Sequence, residues 1–468
     1  MHTNEKKMTP KEKEMATANI PRLVLSYSIP TVIGMLISAL YVVVDRYFVG
    51  QIPDIGQDAL TGVGLGSPVN LILAAFSLLL GVGSAANISI RLGKGDRDGA
   101  EQVLGNALSF ILITSVVLGA AALIFMEPLL IAFGADASTL PHAYTYAAIK
   151  VIGTPLMFIF FAMNHPIRAV GSAKRFAAAQ IMGALLNIVL NPLFIFTFNM
   201  GIAGAAWSTV LVWGLGGIWV MMYYFKGEPA IKIRLKYLKP SLKVLGIIAS
   251  IGMAPFFMQI LGSAVTIIAN RSLAELGGSV SIAAFTAING VIALFIMPVF
   301  GITQGSQPII GFNYGMGNMQ RVRAAYISSM LYSIIICIVG STLLLILPKQ
   351  VMELFNSDPD ALAIGTTAMR IMVWSLAVAG FQMNASTFFM SIGRAKISVF
   401  LSVLRLGIIL IPLFFILPQV FGALGINRLL GIWWAYPVSD VLAFTVSIIM
   451  ILRELRIIKA KTLDSINS

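Results

Sequence analysis

One acidic side chain lies inside a long apolar stretch of the chain. Asp45 occurs in the segment SALYVVVDRYFVG, and Gly34, Ser38 and Tyr41 precede it at the spacing i, i+4, i+7 and i+11. On a helix these residues share one face. Because a buried charge is costly in hydrocarbon, an acid on such a face is a candidate for binding a proton or a cation. The alternative is an interfacial acid that pairs with Arg46 or with water.

A second polar face occurs in a later apolar stretch. Gln180, Asn187 and Asn191 follow the helical spacing i, i+7 and i+11. Their alternative role is interhelical hydrogen bonding, which stabilises helix bundles in membranes. Several polar residues within apolar stretches together indicate a polar substrate cavity. The candidate cavity residues are Ser38, Tyr41, Asn164, Gln180, Gln259, Ser263, Asn289, Gln382 and Asn384.

Asp440 is the only other acid clearly inside an apolar stretch, three residues after Pro437. It is a secondary acidic candidate for a proton site. The alternative is a structural ion pair, for which Lys150, Arg370 and Arg405 are available. The sequence contains no cluster of His and Cys for a metal, no phosphate-binding loop and no nucleophile motif, so an enzyme is disfavoured.

Membrane-spanning helices must position these candidates. The 468 residues are 58% hydrophobic and only 11% charged, whereas soluble domains carry about 25% charged residues. A helix that crosses a bilayer needs roughly 20 mostly apolar residues. Twelve spans are therefore predicted, at 23–49, 60–90, 103–125, 140–165, 175–198, 202–225, 243–269, 281–312, 322–347, 361–391, 397–417 and 430–452.

The basic residues predict the orientation of these spans. Most Lys and Arg fall in the two termini, in alternate loops and in a polar central stretch, and the opposite loops contain only Arg271, Lys349 and Arg428. Because cytoplasmic loops carry the excess of positive charge, both termini are expected in the cytoplasm. The formal charge of +13 is therefore a sign of membrane topology, and nucleic-acid binding is disfavoured.

The chain is predicted to consist of two halves of six helices each. The N-lobe covers 21–225 and the C-lobe 243–455, and 226–242 is a cytoplasmic linker on the membrane surface. A disordered cytoplasmic tail is expected at 1–20 and a cytoplasmic C-terminal tail at 456–468.

An internal repeat supports this division. A shift of about 222 residues places the motif Gly-Ser-Ala-Lys at 171–174 on Gly-Arg-Ala-Lys at 393–396. Because each half has an even number of helices, the repeat is parallel and its pseudo-twofold axis runs along the membrane normal. Transporters often use such repeats, with alternating access between the halves.

Six segments of the chain have a recognisable pattern. They are SIPTVIGMLISALYVVVDRYFVG in helix 1, AVGSAK after helix 4, LLNIVLNPLFIF and GIAGAAWSTV in helices 5 and 6, MPVFGITQGSQPIIGFNYG in helix 8 and SIGRAK after helix 10. Together they resemble the multidrug and toxic compound extrusion (MATE) family, most closely its MepA-like prokaryotic branch. The resemblance runs from about residue 20 to the end of the last span.

The resemblance implies an all-α membrane protein of two pseudo-symmetric lobes that exports organic, often cationic, compounds while H⁺ or Na⁺ enters. The ion-coupling acid in helix 1 of the family matches Asp45, its helix 5 Asn matches Asn187, and its helix 6 Thr matches Thr209. The usual helix 5 Asp before Pro is Asn191 here, a departure that removes the second carboxylate. One carboxylate with Asn and Thr oxygens can still hold Na⁺, so the coupling cation stays open.

Two functions other than cation-coupled export are less consistent with the sequence. A lipid-linked precursor flippase of the same wider superfamily would be expected to line its cavity with several Arg or Lys, but basic residues in the spans are few and scattered. A receptor or scaffold is disfavoured by the polar faces in both halves. The expected partners are small organic substrates and the lipid bilayer, with no cofactor beyond the coupling cation. A monomer in a prokaryotic cytoplasmic (inner) membrane is expected.

Overall fold

The computed structural model describes residues 8–53, 55–226, 230–355 and 359–467. Helices and their connections make up these residues, and no strand occurs among them. In chain order the α-helices are α1 (Pro10–Thr17), α2 (Ile20–Gly50), α3 (Gly56–Gly93), α4 (Arg97–Ile124), α5 (Met126–Ala132), α6 (Leu140–Ile152), α7 (Thr154–Ala162), α8 (Asn164–Ala169), α9 (Ala173–Pro192), α10 (Gly201–Lys226), α11 (Leu242–Gly315), α12 (Met319–Ile346), α13 (Pro348–Glu353), α14 (Pro359–Val373), α15 (Leu376–Ser391), α16 (Ala395–Val403), α17 (Ile411–Ala423) and α18 (Arg428–Asn467).

The predicted twelve spans are accounted for by these helices. Within the described residues, eight helices are long and apolar enough to cross a membrane, and two bent pairs add two crossings. The pair α6 with α7–α8 bends by 56° and the pair α14 with α15 by 46°. α11 has 74 residues, about 110 Å at 1.5 Å per residue, which is too long for one crossing. It is interrupted at Gly278, where φ is 66° and ψ is −166°, and therefore makes two spans; α18 contains the twelfth.

Corresponding helices of the two halves end in the same way, with a glycine in the left-handed conformation. Gly95 and Gly171 in the first half have φ of 75° and 87°, and Gly317 and Gly393 in the second half have φ of 79° and 76°. These values lie in the left-handed region, which glycine adopts without the steric cost of a Cβ. The bends of the fourth and tenth spans correspond as well. The fold is thus two pseudo-symmetric copies of a six-helix arrangement.

The chain divides into two compact units. The first consists of Met1–Thr17 and Ile33–Phe256, and the second of Ala18–Val32 and Phe257–Ser468. Each unit therefore contains most of one predicted lobe together with the beginning of the first spanning helix of the other half.

In the first unit, the backbone of the beginning of α11 packs directly against the backbone of α3. A Cβ built on Gly252 would collide with the carbonyl oxygen of Leu79. The second unit contains the corresponding crossing between α2 and the later part of α11, where a Cβ on Gly305 would lie 2.7 Å from the Cα of Ser28. Small residues allow such close helix approach in membranes, where van der Waals packing stabilises helix association.

Replacing Gly252 with Ala is expected to destabilise the first unit by about 1–3 kcal/mol, the usual cost of overpacking. Gly246 on the same helix provides the matched control, because a Cβ there meets nothing within 4 Å. Gly246→Ala should be neutral or stabilising, since Ala is the better helix former. The measurement is the melting temperature of the detergent-purified protein. Equal melting temperatures for the two variants would show that the close approach of α3 and α11 is absent.

The N-terminal segment differs from the disordered tail expected at 1–20. Residues 1–7 lie outside the described residues, but α1 forms at Pro10–Thr17. Its first turn carries a capping box, in which the Thr9 N–H donates to Glu12 Oε2 (2.7 Å) and the Glu12 N–H donates to Thr9 Oγ1 (3.3 Å). Glu12 is buried and also pairs with Arg97 at 3.1 Å. The cap and this ion pair order a segment whose composition alone favours disorder.

The predicted linker 226–242 is fixed to the beginning of α4, although its residues 227–229 lie outside the described part. Glu101 is buried and pairs with Arg234. Asn106 donates to the Tyr237 carbonyl at 3.0 Å and accepts from the Ser241 N–H at 2.8 Å. These bonds pair backbone groups of a connection whose described residues contain one short 3₁₀ turn.

Candidate functional site

Asp45 lies near the end of α2, where 6% of its surface is exposed. Both oxygens of its carboxyl group accept hydrogen bonds from other helices. Asn191 Nδ2 on α9 donates to Oδ1 at 2.8 Å, and the Tyr146 hydroxyl on α6 donates to Oδ2 at 3.4 Å. Three helices of the first unit therefore meet at this carboxyl group.

The other predicted ion-coupling residues continue this network. Asn191 Nδ2 also donates to Asn187 Oδ1 at 3.0 Å, and Asn187 Nδ2 donates to Thr209 Oγ1 at 3.4 Å. The Ser208 hydroxyl donates to Asn191 Oδ1, which leaves the amide NH₂ of Asn191 facing the two acceptors. Asn187, Asn191, Ser208 and Thr209 are each at most 2% exposed. The structure thus brings Asp45 and its three predicted partners into one buried network, while their role in ion coupling stays a prediction.

Local backbone features position α9 and α10 for this contact. After Pro192, which has no N–H to donate, the helix widens into a π-helix at Leu193–Thr197. α10 approaches this segment at Gly204, where a Cβ would lie 2.6 Å from the carbonyl oxygen of Phe194. The absence of a side chain at Gly204 therefore allows Thr209, about one and a half turns later, to reach Asn187.

Two members of the site, Tyr146 and Lys150, were not predicted as site residues. Lys150 Nζ donates to the Tyr146 hydroxyl at 3.0 Å and lies 5.4 Å from the centroid of the Trp213 ring. Both residues lie on α6 at the spacing i, i+4, which is the sequence signal that could have found them. α10 comes close to the end of α6 because Gly153 has no side chain, and a Cβ there would lie 2.6 Å from Val210 Cγ2.

A narrow pocket of the first unit runs alongside the network. Its walls combine polar and aromatic side chains, namely Ser38, Tyr41, Gln180, Asn187, Thr209, Phe160, Phe161 and Trp213. The space inside it that is open to water amounts to ≈ 20 Å³, roughly that of one water molecule. In this conformation the pocket accommodates water or a small ion, and an organic molecule requires it to open. The candidates Ser38, Tyr41 and Gln180 lie on this pocket.

The other candidates for the substrate cavity have different surroundings. Gln382 and Asn384 are buried on α15; Gln382 Nε2 donates to the Leu401 carbonyl at 2.7 Å and Asn384 Oδ1 accepts from Ser329 at 2.8 Å. Asn164 is buried and donates to the Phe176 carbonyl at 3.2 Å. These are interhelical bonds of the kind that hold membrane bundles together.

Three half-buried residues of α11 remain. The Ser263 hydroxyl donates to the Gln259 carbonyl at 3.1 Å, and Asn289 donates to the Phe285 carbonyl at 3.1 Å. Both bonds stay within the helix, so the side chains are free to turn toward a ligand. The place of Gln259, Ser263 and Asn289 in a cavity stays a prediction.

Asp440 belongs to the second unit and forms an ion pair. Arg405 Nε donates to Asp440 Oδ1 at 2.6 Å, and the Ser375 hydroxyl donates to Oδ2 at 2.7 Å. Arg405 is therefore the partner of Asp440 among the three basic residues that the sequence offered, and it lies in the π-helix Leu404–Leu410. The arrangement favours the structural ion pair over a free proton site.

The chemistry of the first unit follows from its network. One carboxylate is enclosed, hydrogen-bonded and close to a pocket with room for about one water molecule, so it can bind and release a proton or another small cation. Its partners are amides and hydroxyls, and no nucleophile lies beside a general base in this network. A bundle of two six-helix repeats that holds an ionisable group at such a site is the architecture of a membrane transporter.

The MatE family profile matches the chain twice, over residues 30–193 and 255–416. The two matches together cover more than half of the chain, and the chain belongs to the MatE family. They correspond to the two copies of the repeat, which the sequence predicted. The protein is accordingly a transporter of small molecules and not an enzyme.

Curated relatives and solved structures align with nearly the whole chain. The multidrug export protein MepA of Staphylococcus haemolyticus (strain JCSC1435) is 24% identical over 427 residues, which are 91% of this chain and 92% of that protein. MepA of Staphylococcus aureus (strain MSSA476) is 24% identical over 436 residues, 92% of this chain and 93% of that protein.

Two solved structures have closely similar folds. A MATE transporter crystallised in complex with MaD3S has a TM-score of 0.89 at 25% identity, over 97% of this chain and 100% of that one. A MOP superfamily transporter from Pyrococcus furiosus has a TM-score of 0.88 at 26% identity, over 97% of this chain and 99% of that one. Its binding pocket is described as having reversed polarity, which suggests a different function.

Proposed function

We propose that the protein is a multidrug efflux antiporter, which exports organic, often cationic, compounds in exchange for H⁺ or Na⁺. The main support for the proposal is the burial of the Asp45 carboxylate in a membrane-spanning bundle, where it accepts hydrogen bonds from Asn191 and Tyr146. A buried acid in a span is expensive, and coupling to a cation gives it a function. Export of drugs is also supported by the relatives, which are named multidrug export protein MepA.

The pocket beside Asp45 suits organic cations once it opens. Tyr41, Phe160, Phe161 and Trp213 present aromatic rings, and aromatic faces attract organic cations. Occupancy of Asp45 by the coupling cation then weakens binding of a cationic compound nearby, because the two positive charges repel each other. This competition couples entry of the cation to release of the compound as the lobes alternate in access.

We further propose that the protein lies in the cytoplasmic (inner) membrane of a prokaryote, with both termini in the cytoplasm. The bacterial relatives and the distribution of Lys and Arg among the loops support this placement. The unit of function is a monomer, since each chain contains both halves of the repeat.

Asp45→Asn is expected to abolish gradient-driven efflux, because an amide cannot take up the coupling cation. The assay follows ethidium leaving proteoliposomes under a pH gradient alone and under a Na⁺ gradient alone. Asp58→Asn serves as the matched control, since Asp58 is an exposed acid of the same unit. Gradient-driven efflux by Asp45→Asn at the wild-type rate would refute the coupling role. No efflux by the wild type under either gradient would refute drug export, and lipid translocation would then be measured.

A further inference from the structure

Lys150 is a cationic group of the site for which the exchange proposed above has no role. Its side chain is half-buried in the last turn of α6, where the negative end of the helix dipole favours a cation. The ammonium lies over the Tyr146 ring at 4.8 Å and near the Trp213 ring at 5.4 Å. Within the described part of the chain it forms no direct ion pair with an acid.

A single hydroxyl connects Lys150 to Asp45. Lys150 Nζ donates to the Tyr146 oxygen at 3.0 Å, and the Tyr146 hydroxyl donates to Asp45 Oδ2 at 3.4 Å. An ammonium, a phenol and a carboxylate in this order form a hydrogen-bonded path, along which a proton can move once the 3.4 Å contact between Tyr146 and Asp45 shortens. Among the residues that the structure describes, Arg46 and Tyr41 are the other charged or titratable groups that interact with this path; Arg46 is exposed and Tyr41 lines the pocket.

The charge of the site depends on which of these groups releases a proton. If Lys150 stays an ammonium throughout, an ionised Asp45 leaves the site neutral and a protonated Asp45 leaves it positive. A neutral site attracts an organic cation through its aromatic faces alone, without the Coulomb attraction of a net negative charge. If Lys150 instead becomes a neutral amine, the site has a charge of −1 and attracts the cation, and uptake of a proton returns it to neutrality. Asn191 cannot supply this titration, since its amide does not ionise.

We propose that Lys150 is the second proton-binding group of the site, that it exchanges the coupling proton with Asp45 through the Tyr146 hydroxyl, and that the coupling cation is therefore H⁺. In the internal step the ammonium gives a proton to the Tyr146 oxygen while the phenolic proton passes to Asp45 Oδ2. An ammonium and a carboxylate thereby become an amine and a neutral acid. Binding of an organic cation displaces this proton to the medium, and a proton from outside restores the neutral site. The inference rests on the proposed exchange function.

The oxygens of the network also favour a proton over Na⁺. A bound Na⁺ needs several oxygens turned toward it at once, as hard cations do, and would have to compete with the donors that these oxygens now face. Here both Asp45 oxygens accept hydrogen bonds, Asn187 Oδ1 accepts from Asn191, and Asn191 Oδ1 accepts from Ser208. A proton needs only one of these oxygens and leaves the rest of the network intact.

The test compares Lys150→Arg with Lys150→Met. Arg keeps the positive charge but does not release a proton in proteins, so Lys150→Arg should lose pH-driven ethidium efflux and bind ethidium weakly. Lys150→Met leaves Asp45 as the only titrating group; it should still bind ethidium and should exchange only at lower pH. Lys349→Met, at an exposed lysine, is the matched control and should behave as the wild type. Melting temperatures identify any variant that fails to fold.

A second measurement does not depend on transport. Ethidium is added to purified protein in weakly buffered detergent solution near neutral pH, and released protons are followed with a pH indicator. The wild type should release a proton on binding, whereas Lys150→Met should bind without release. Wild-type efflux by Lys150→Arg, binding without proton release by the wild type, or efflux by the wild type under a Na⁺ gradient alone would each overturn the inference. Loss of efflux in Asp45→Asn with unchanged efflux in Lys150→Arg would refute Lys150 while the proposed function stands.

Discussion

Asn191→Asp is expected to raise the pH at which exchange is half-maximal by roughly one to three units, the size of effect that a nearby charge has on a titrating group. Asn191 Nδ2 lies 2.8 Å from Asp45 Oδ1, so the new carboxyl group would be within hydrogen-bonding distance of the first. Two ionised carboxylates at this distance repel each other, and one of them holds a proton near neutral pH. The measurement is the pH profile of ethidium efflux from proteoliposomes.

The same variant is expected to respond to Na⁺. A second carboxylate adds oxygens and negative charge, both of which hard cations prefer, so a Na⁺ gradient should now drive some efflux. Asn191→Ala is the control: it removes the donor to Asp45 and Asn187 without adding charge and should weaken exchange without the upward shift in pH. An unchanged pH profile in Asn191→Asp would mean that Asp45 is not the group whose protonation limits exchange.

The spans and the polar faces could be predicted because they depend on local composition. Apolar segments of about 20 residues predict bilayer crossings directly, and the helical spacing of Ser38, Tyr41 and Asp45 predicts one polar face. The structure places Ser38 and Tyr41 on the pocket and Asp45 in the adjoining network. The resemblance to a family added Thr209 and connected Asn187, already predicted on a second polar face, with Asp45.

The contacts between helices could not be predicted from one sequence. Tyr146 reaches Asp45 across 101 positions of the chain, and a Tyr near a span end is also common at membrane interfaces, so its pattern was ambiguous. The bend between α6 and α7 was missed because Gly153 and Thr154 lie within one continuous apolar segment. For α1, the capping box at Thr9 and Glu12 was present in the sequence, but the burial of Glu12 against Arg97 depends on the fold.

The ion pair in the second unit shows why a membrane acid has to be considered together with its partner. Asp440 is 3% exposed as a residue, and the side chain of Arg405 is 17% exposed. The removal of both charges from water is compensated by their mutual attraction and by the Ser375 hydroxyl bond. An acid that serves as a proton carrier must instead be able to become neutral without leaving a buried positive partner uncompensated.

Asp440→Asn and Arg405→Met are each expected to destabilise the protein by about 3–5 kcal/mol, since each leaves the other charge buried without its partner. The double variant should regain most of this stability, because it leaves no buried charge and an Asn at 440 can still accept from Ser375. Melting temperatures of the four proteins form the double-mutant cycle. The efflux assay then separates the two roles of the acid: a structural pair predicts that the double variant both folds and transports. A double variant that is as stable as the wild type but has no pH-driven efflux would identify Asp440 as a proton site.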